Sequence, residues 1–246
     1  MKTIGLIPSR LASTRLPGKA LAEIEGIPVV IHVAKRALLS QNLDSVLVCT
    51  DSHEIAEACS DYNIDFKITP SSFVNGTERI ASVAKDLDAD YFLDIQGDEP
   101  LLNPSHIDKV SYFLRSSSSS PDIVIPTLET SYSSPETIVR VQSSLTGRVM
   151  TLSRAQIPHR YSQSTSFIQK HLSVIGFTKS ALIKFAQLPP SPYECIESVE
   201  LLRALENDMK VYSLSVSGNS FSVDIEDDLS RARVAMKTDK FISLYK

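Results

Sequence analysis

The sequence predicts an α/β fold, a doubly wound, mostly parallel sheet with a smaller inserted lobe. Three observations carry this. Short apolar runs alternate with stretches of helical periodicity through the first half of the chain. Those runs end in polar loops rich in Arg, Lys, Asp and Gly, the kind of loop that binds ligands at the carboxyl ends of parallel strands. A chain of 246 residues that is 42% hydrophobic is long and apolar enough to bury one large core.

Each element follows from local pattern. Ile4–Ile7 is an apolar run stopped by Pro8, a buried first strand. Pro28–Leu39 has apolar residues at helical spacing, with Lys35 and Arg36 on the polar side. A strand over Ser45–Cys49, a helix over Glu54–Tyr62 and a short strand over Phe66–Ile68 follow. Asn75-Gly76 turns into a helix over Thr77–Leu87, and Tyr91–Ile95 is the next strand. Repeated strand–helix order implies parallel strands joined by right-handed crossovers.

The second half is less regular. Ser116–Ser120 reads as a serine-rich surface loop, and Asp122–Leu128 as a strand. A hairpin is predicted over Val139–Leu152, turning at Thr146-Gly147. Single strands are predicted over His171–Phe177 and Val211–Val216, and helices over Ser180–Ala186, Glu194–Glu206 and Asp227–Lys237. Residues from roughly 125 to 190 are expected to form the inserted lobe of one 246-residue domain.

A net charge of −4 gives no global field for nucleic acid or a membrane surface, so phosphate binding falls to local basic clusters. Cys49, Cys59 and Cys195 have no CxxC spacing, which argues against a disulfide framework or structural zinc. No run of eighteen apolar residues occurs, and the N-terminus enters a strand at once. A cytoplasmic protein is expected, with no nucleic-acid or membrane partner.

The loop after the first strand carries Arg10, Arg15 and Lys19 beside Ser9, Ser13 and Gly18. Guanidinium forks match phosphate oxygens and an ammonium is a compact point charge, so this loop suits a polyphosphate. Its string is not GxxxxGK[ST], nor GxGxxG. After YFLDI comes Gln96-Gly97-Asp98-Glu99-Pro100. Asp98 is placed to hold Mg²⁺, which takes one or two carboxylates plus substrate phosphates and water. In Asn75-Gly76-Thr77-Glu78-Arg79, a glycine before a helix lets backbone N–H groups approach a ligand, with Thr77 as a candidate N-cap.

The pattern RxxSxRLPGK at 10–19 resembles the signature of sugar-activating nucleotidyltransferases. With QGDEP at 96–100, GTER at 76–79, SRAQIP at 153–158 and HLSVIGF at 171–177, it most resembles the cytidylyltransferases that make CMP-3-deoxy-octulosonate, the CMP-Kdo synthetase family. The resemblance runs from Lys2 to about Ala235. It implies a nucleotide-diphospho-sugar transferase fold. It also implies a reaction in which CTP and a 3-deoxy-2-keto sugar acid yield a CMP-sugar and pyrophosphate for cell-surface polysaccharide. A homodimer through the middle lobe follows as well.

The resemblance places Arg10, Arg15, Lys19 and Asp98 at the chemistry. Pro8, Ser9, Ser13, Gly76, Arg79 and Gln96 join the three cations around the nucleotide. Asp224, in VDIEDDL, aligns with a second metal ligand beside Asp98, while Asp227 and Asp228 cap the following helix. Gln96, Arg154, His171 and Glu197 align with sugar contacts, and Arg140 with a nearby lysine. Three positions depart from the pattern: Ser173 replaces a glycine, Ile175 a tyrosine and Leu201 a glutamine. A buried hydroxyl facing an apolar side chain lacks a partner. The expected substrate is therefore Kdo or a deoxygenated, amino-substituted or N-acylated relative. Another acceptor, such as a sialic-type acid or a phosphonate, is the rival enzyme reading. A catalytically silent nucleotide-sugar binding protein is the rival from outside enzymology.

Overall fold

The computed structural model describes residues 1–13, 15–162 and 166–246. Thr14, inside the basic loop, lies outside the described residues. In chain order the first elements are β1 (Thr3–Ser9), β2 (Glu23–Ile24), β3 (Ile27–Pro28), α1 (Val29–Ala37), β4 (Ser45–Thr50), α2 (His53–Asp61) and β5 (Phe66–Ile68). Then come α3 (Gly76–Ala84), β6 (Tyr91–Ile95), α4 (Pro104–Ser116), β7 (Ile123–Ser131), β8 (Arg140–Ser143), β9 (Val149–Ser153) and β10 (Phe167–His171). The last are β11 (Val174–Thr178), α5 (Lys179–Gln187), α6 (Pro192–Glu197), α7 (Leu201–Glu206), β12 (Val211–Val216) and α8 (Glu226–Met236).

Ten strands form one mixed sheet in the order β5-β4-β1-β6-β11-β7-β10-β8-β9, with β12 on β7. The N-terminal block β5-β4-β1-β6 is parallel throughout. Strand β11 enters antiparallel between β6 and β7, and β12 runs parallel to β7. Helices cover both faces, as a doubly wound sheet requires. Ile80 and Ala84 of α3 pack with Leu182 and Phe185 of α5 and Leu202 of α7 on one side. Val30 and Val33 of α1, Ile55 of α2 and Val110 and Leu114 of α4 pack on the other. Among the described residues, no helix is long and apolar enough to cross a membrane.

The predicted hairpin forms, β8 against β9 with Gly147 at φ 85 in the turn. Two predicted elements are divided. The strand expected over 171–177 breaks at Leu172-Ser173, because β10 pairs with β8 while β11 crosses to pair with β6. The helix expected over 194–206 breaks at Ser198, which adopts left-handed φ 52, ψ 48. Arg154 explains that break: its Nε and one terminal nitrogen donate to the carbonyls of Glu197 and Ser198, at 2.8 and 3.1 Å. A continuous helix needs those oxygens for its own ladder. Helix α4 was not foreseen from periodicity, yet Asn103 caps it and Pro104 opens it, both recognised start signals.

Candidate active site

At the carboxyl ends of β1 and β6 lies a cavity of about 420 Å³. Pro8, Ser9, Arg10, Ser13, Arg15 and Lys19 line it from the first loop. Gly76 and Arg79 line it from α3, Gln96 and Asp98 from the loop after β6, and Asp224 from the segment before α8. Every residue expected at the nucleotide and metal therefore faces one space. Glycine is required where these loops meet. A Cβ on Gly97 would stand 3.0 Å from the Pro8 carbonyl oxygen, and one on Gly76 would stand 3.0 Å from the Pro8 ring.

Charges are arranged across the cavity. Lys19 Nζ donates to Asp98 Oδ2 at 2.6 Å and to Asp224 Oδ1 at 3.1 Å, and Arg15 donates to Asp224 Oδ1 at 2.9 Å. Burial alone would lower the Lys19 pKa. The Asp98 and Asp224 carboxylates outweigh it and hold the pKa above the ordinary lysine value. A backbone bond from Val223 N to Asp98 O, 2.8 Å, ties the two acidic segments together. Asp228 accepts from the Asp224 and Ile225 N–H groups at 3.2 and 3.3 Å, the capping role expected of it. Arg10 is exposed at the end of β1 and forms no ion pair among the described residues.

Two carboxylate oxygens within 3.1 Å of one ammonium nitrogen can also share one small cation. Hard oxygen donors of this number, beside cations suited to phosphate, fit a divalent metal held jointly with a nucleotide. On the α3 side, Arg79 is buried. It donates to Thr69 Oγ1, and to Asp51 at 2.9 Å. Asn75, not Thr77, caps α3, accepting from Glu78 N at 2.8 Å. Thr77 instead turns its hydroxyl inward, toward Asp94 and Glu200.

The residues expected at the sugar are divided. Gln96 lines the cavity, while Arg154, His171 and Glu197 do not. The Glu197 carboxylate accepts from Ser153 Oγ at 2.6 Å and from Arg154 N at 2.8 Å. Arg154 is engaged with backbone carbonyls, including Thr137 O at 2.9 Å. Arg140 is buried and donates to the carbonyls of Arg154 and Ser134. Burial pushes the His171 imidazole down to about 4, so it is neutral, and its Nε2 has no partner among the described residues. Ile175 and Leu201 belong to the core cluster against α3 and α5. Ser173 holds the buried Glu99 together with Ser220; burial raises the Glu99 pKa and the two hydroxyls oppose that rise.

Sequence reasoning missed Asp94, the inward role of Thr77, and Glu200. Asp94 did leave a signal, as a lone acid inside the apolar strand YFLDI. A charged residue at such a position needs partners supplied by the fold.

The sequence matches the Cytidylyltransferase family over residues 4–211. It is 37% identical over 235 residues to a 3-deoxy-manno-octulosonate cytidylyltransferase of Acidobacterium capsulatum, covering 93% of this chain and 94% of that one. A protein of the same name from Chlorobium limicola is 36% identical over 240 residues, covering 95% and 96%. The fold superimposes on CMP:2-keto-3-deoxy-manno-octonic acid synthetase complexed with CTP, with a TM-score of 0.92 and 27% identity, covering 96% of this chain and 99% of that one. With the basic loop of β1 and the carboxylates of Asp98 and Asp224 facing one cavity, and with this likeness along nearly its whole length, the chain belongs to the cytidylyltransferase family.

Proposed function

We propose that this enzyme transfers the cytidylyl group of CTP to the anomeric C2 hydroxyl of a 3-deoxy-2-keto sugar acid, Kdo or a modified Kdo. A CMP-sugar forms and pyrophosphate leaves. The observation that carries the reading is the facing of Arg10, Arg15 and Lys19 against Asp98 and Asp224 across one cavity walled by Gly76 and Gln96. Arg10, Arg15 and Lys19 hold the triphosphate and stabilise charge on the departing pyrophosphate. Asp98 and Asp224 would hold Mg²⁺, which would supply neutralisation of phosphate charge and a lower pKa for the attacking hydroxyl. Gly76 and Arg79 take the cytidine side. Gln96 takes the sugar side of the cavity, while Arg154, His171 and Glu197, expected at the sugar, lie outside the cavity lining. No covalent enzyme intermediate is needed, because positioning and charge neutralisation carry most such catalysis.

The wider reading is a cytoplasmic homodimer supplying cell-surface polysaccharide. The segment from 125 to 190 serves the sugar and the dimer contact, where exposed Leu145, Met150 and Tyr161 offer surface to cover. Pyrophosphate release with CTP, Mg²⁺ and Kdo tests the activity, and release dependent on both substrates is expected. Asp98→Asn should lower kcat by about 10²–10³-fold with an intact fold, the scale of losing one group that stabilises developing charge. Undiminished turnover in that variant refutes the metal role. Comparing kcat/KM for Kdo with that for its amino and deoxy relatives decides whether Ser173, Ile175 and Leu201 mark a changed acceptor.

A further inference from the structure

Thr77 has one hydroxyl proton and faces two carboxyl groups. Its Oγ1 lies 2.8 Å from Glu200 Oε2 and 3.3 Å from Asp94 Oδ2. One proton cannot serve both contacts. Two contacts among three oxygens need a second proton, on one of the two carboxyl groups; Asp94 is wholly buried while Glu200 lines the cavity, so Asp94 holds that proton and Thr77 donates to Glu200. The contact with Asp94 then requires a proton on Asp94 Oδ2, donated to Thr77.

The surroundings favour that proton. Asp94 is wholly buried on β6. Glu200 faces it from the turn before α7, Asp98 from the loop after β6, and the Cys49 thiol from β4. Arg79, on α3, is committed to Asp51. Burial first, and then the Glu200 charge, push the Asp94 pKa up to about 8.

The proton on Oδ2 leaves Oδ1 as an acid carbonyl oxygen, able only to accept. Gln96 Nε2 donates to it at 2.9 Å. The amide is thereby turned so that Gln96 Oε1, which has no donor among the described residues, is left for the cavity that Gln96 and Glu200 line.

We propose that Asp94 is a positioning residue, kept as a neutral carboxylic acid, that acts through Thr77 and Gln96 to make one wall of the cavity a surface of acceptors only. Gln96 Oε1 and the Glu200 carboxylate form that wall. It binds a hydroxyl or amino edge of the acceptor sugar and disfavours an edge that can only accept. This rests on the reading that the Gln96 side of the cavity holds the sugar acid.

Asparagine mimics the protonated acid, with Oδ1 accepting from Gln96 and Nδ2 donating to Thr77. Leucine keeps the bulk and loses both bonds. Asp94→Asn should therefore keep the KM for Kdo within about threefold, whereas Asp94→Leu should raise it about tenfold or more with the KM for CTP unchanged. An unchanged Kdo KM in Asp94→Leu, or equal impairment of both variants, overturns the proposal. Infrared difference spectra of wild type minus Asp94→Asn at neutral pH supply a second readout that does not need the leucine variant to fold. A carboxylic-acid C=O band is expected, and its absence overturns the neutral acid. CTP binding by calorimetry reports the nucleotide half in every variant. If the wild type releases no pyrophosphate with Kdo, the proposed reaction fails, while the infrared band still decides the state of Asp94.

Discussion

At Asp94, folding takes a carboxyl group out of water and keeps its proton. Its folded pKa of about 8 lies above the ordinary value of 3.8. The stabilising share of that proton is fully present below about pH 4 and is lost as pH rises through about 8. Stability should thus fall across this window by at most about 1.4 kcal/mol per pH unit on account of this group. Asp94→Asn does not titrate there. Urea unfolding should show the variant gaining on wild type from pH 4 to 8, and a constant difference would refute the assignment. At this scale the basic loop and Asp98 were legible, because charged side chains at a strand's end, punctuated by Pro and Gly, have few other uses. The contact of Thr77 with Glu200 was not, since it spans 123 positions of sequence and only the fold brings it about.

Among the elements, the parallel strands β4, β1 and β6 were legible because they are largely buried, near-continuous apolar runs that each give way to a polar or charged loop, whereas the edge strand β5 is exposed and carries Lys67. The break at Ser198 was invisible. The amphipathic pattern runs on through it, while the deciding donor, Arg154, arrives from the end of β9. Left-handed backbone at a serine is costly for a side chain with a Cβ, so Ser198→Gly should stabilise the protein by about 1 kcal/mol. Equilibrium urea unfolding checks this, and a loss of stability would mean that the serine side chain makes up for its backbone. The close approach of Gly97 to Pro8 gives a second expectation. Gly97→Ala should push the β6 loop off the β1 loop and weaken CTP affinity, measured by calorimetry, more than it lowers the unfolding midpoint.

Over the whole molecule, the C-terminal segment is fastened to α1 and, through Arg36, to the loop before α4. Arg36 on α1 is fully buried and donates to Leu102 O at 3.0 Å, to Asp239 and to Tyr245. Asp239 lies just past α8, the helix that follows Asp224. Asp239→Ala would leave a buried guanidinium without its anion, and should cost about 3 kcal/mol in urea unfolding. A neutral outcome would mean that the carbonyl and Tyr245 suffice. The doubly wound, helix-flanked sheet was legible as alternating strands and helices. The crossing of β11 between β6 and β7 was not, because the pairing partners of a strand are a property of the assembled sheet.

The contact of Lys19 with both Asp98 and Asp224 makes this ammonium a placeholder. It keeps two anions close before substrate arrives, and it competes for them with any cation that enters. A triphosphate offers Lys19 a new anion and so releases the carboxylates. Nucleotide and metal occupancy are then linked, each tightening the other by the same factor. Lys19→Ala should bind Mg²⁺ more tightly than wild type when CTP is absent, even as turnover collapses, and calorimetry can read that inversion directly. That inversion would make the lysine proposed to hold the triphosphate also the group that holds metal away from the empty site.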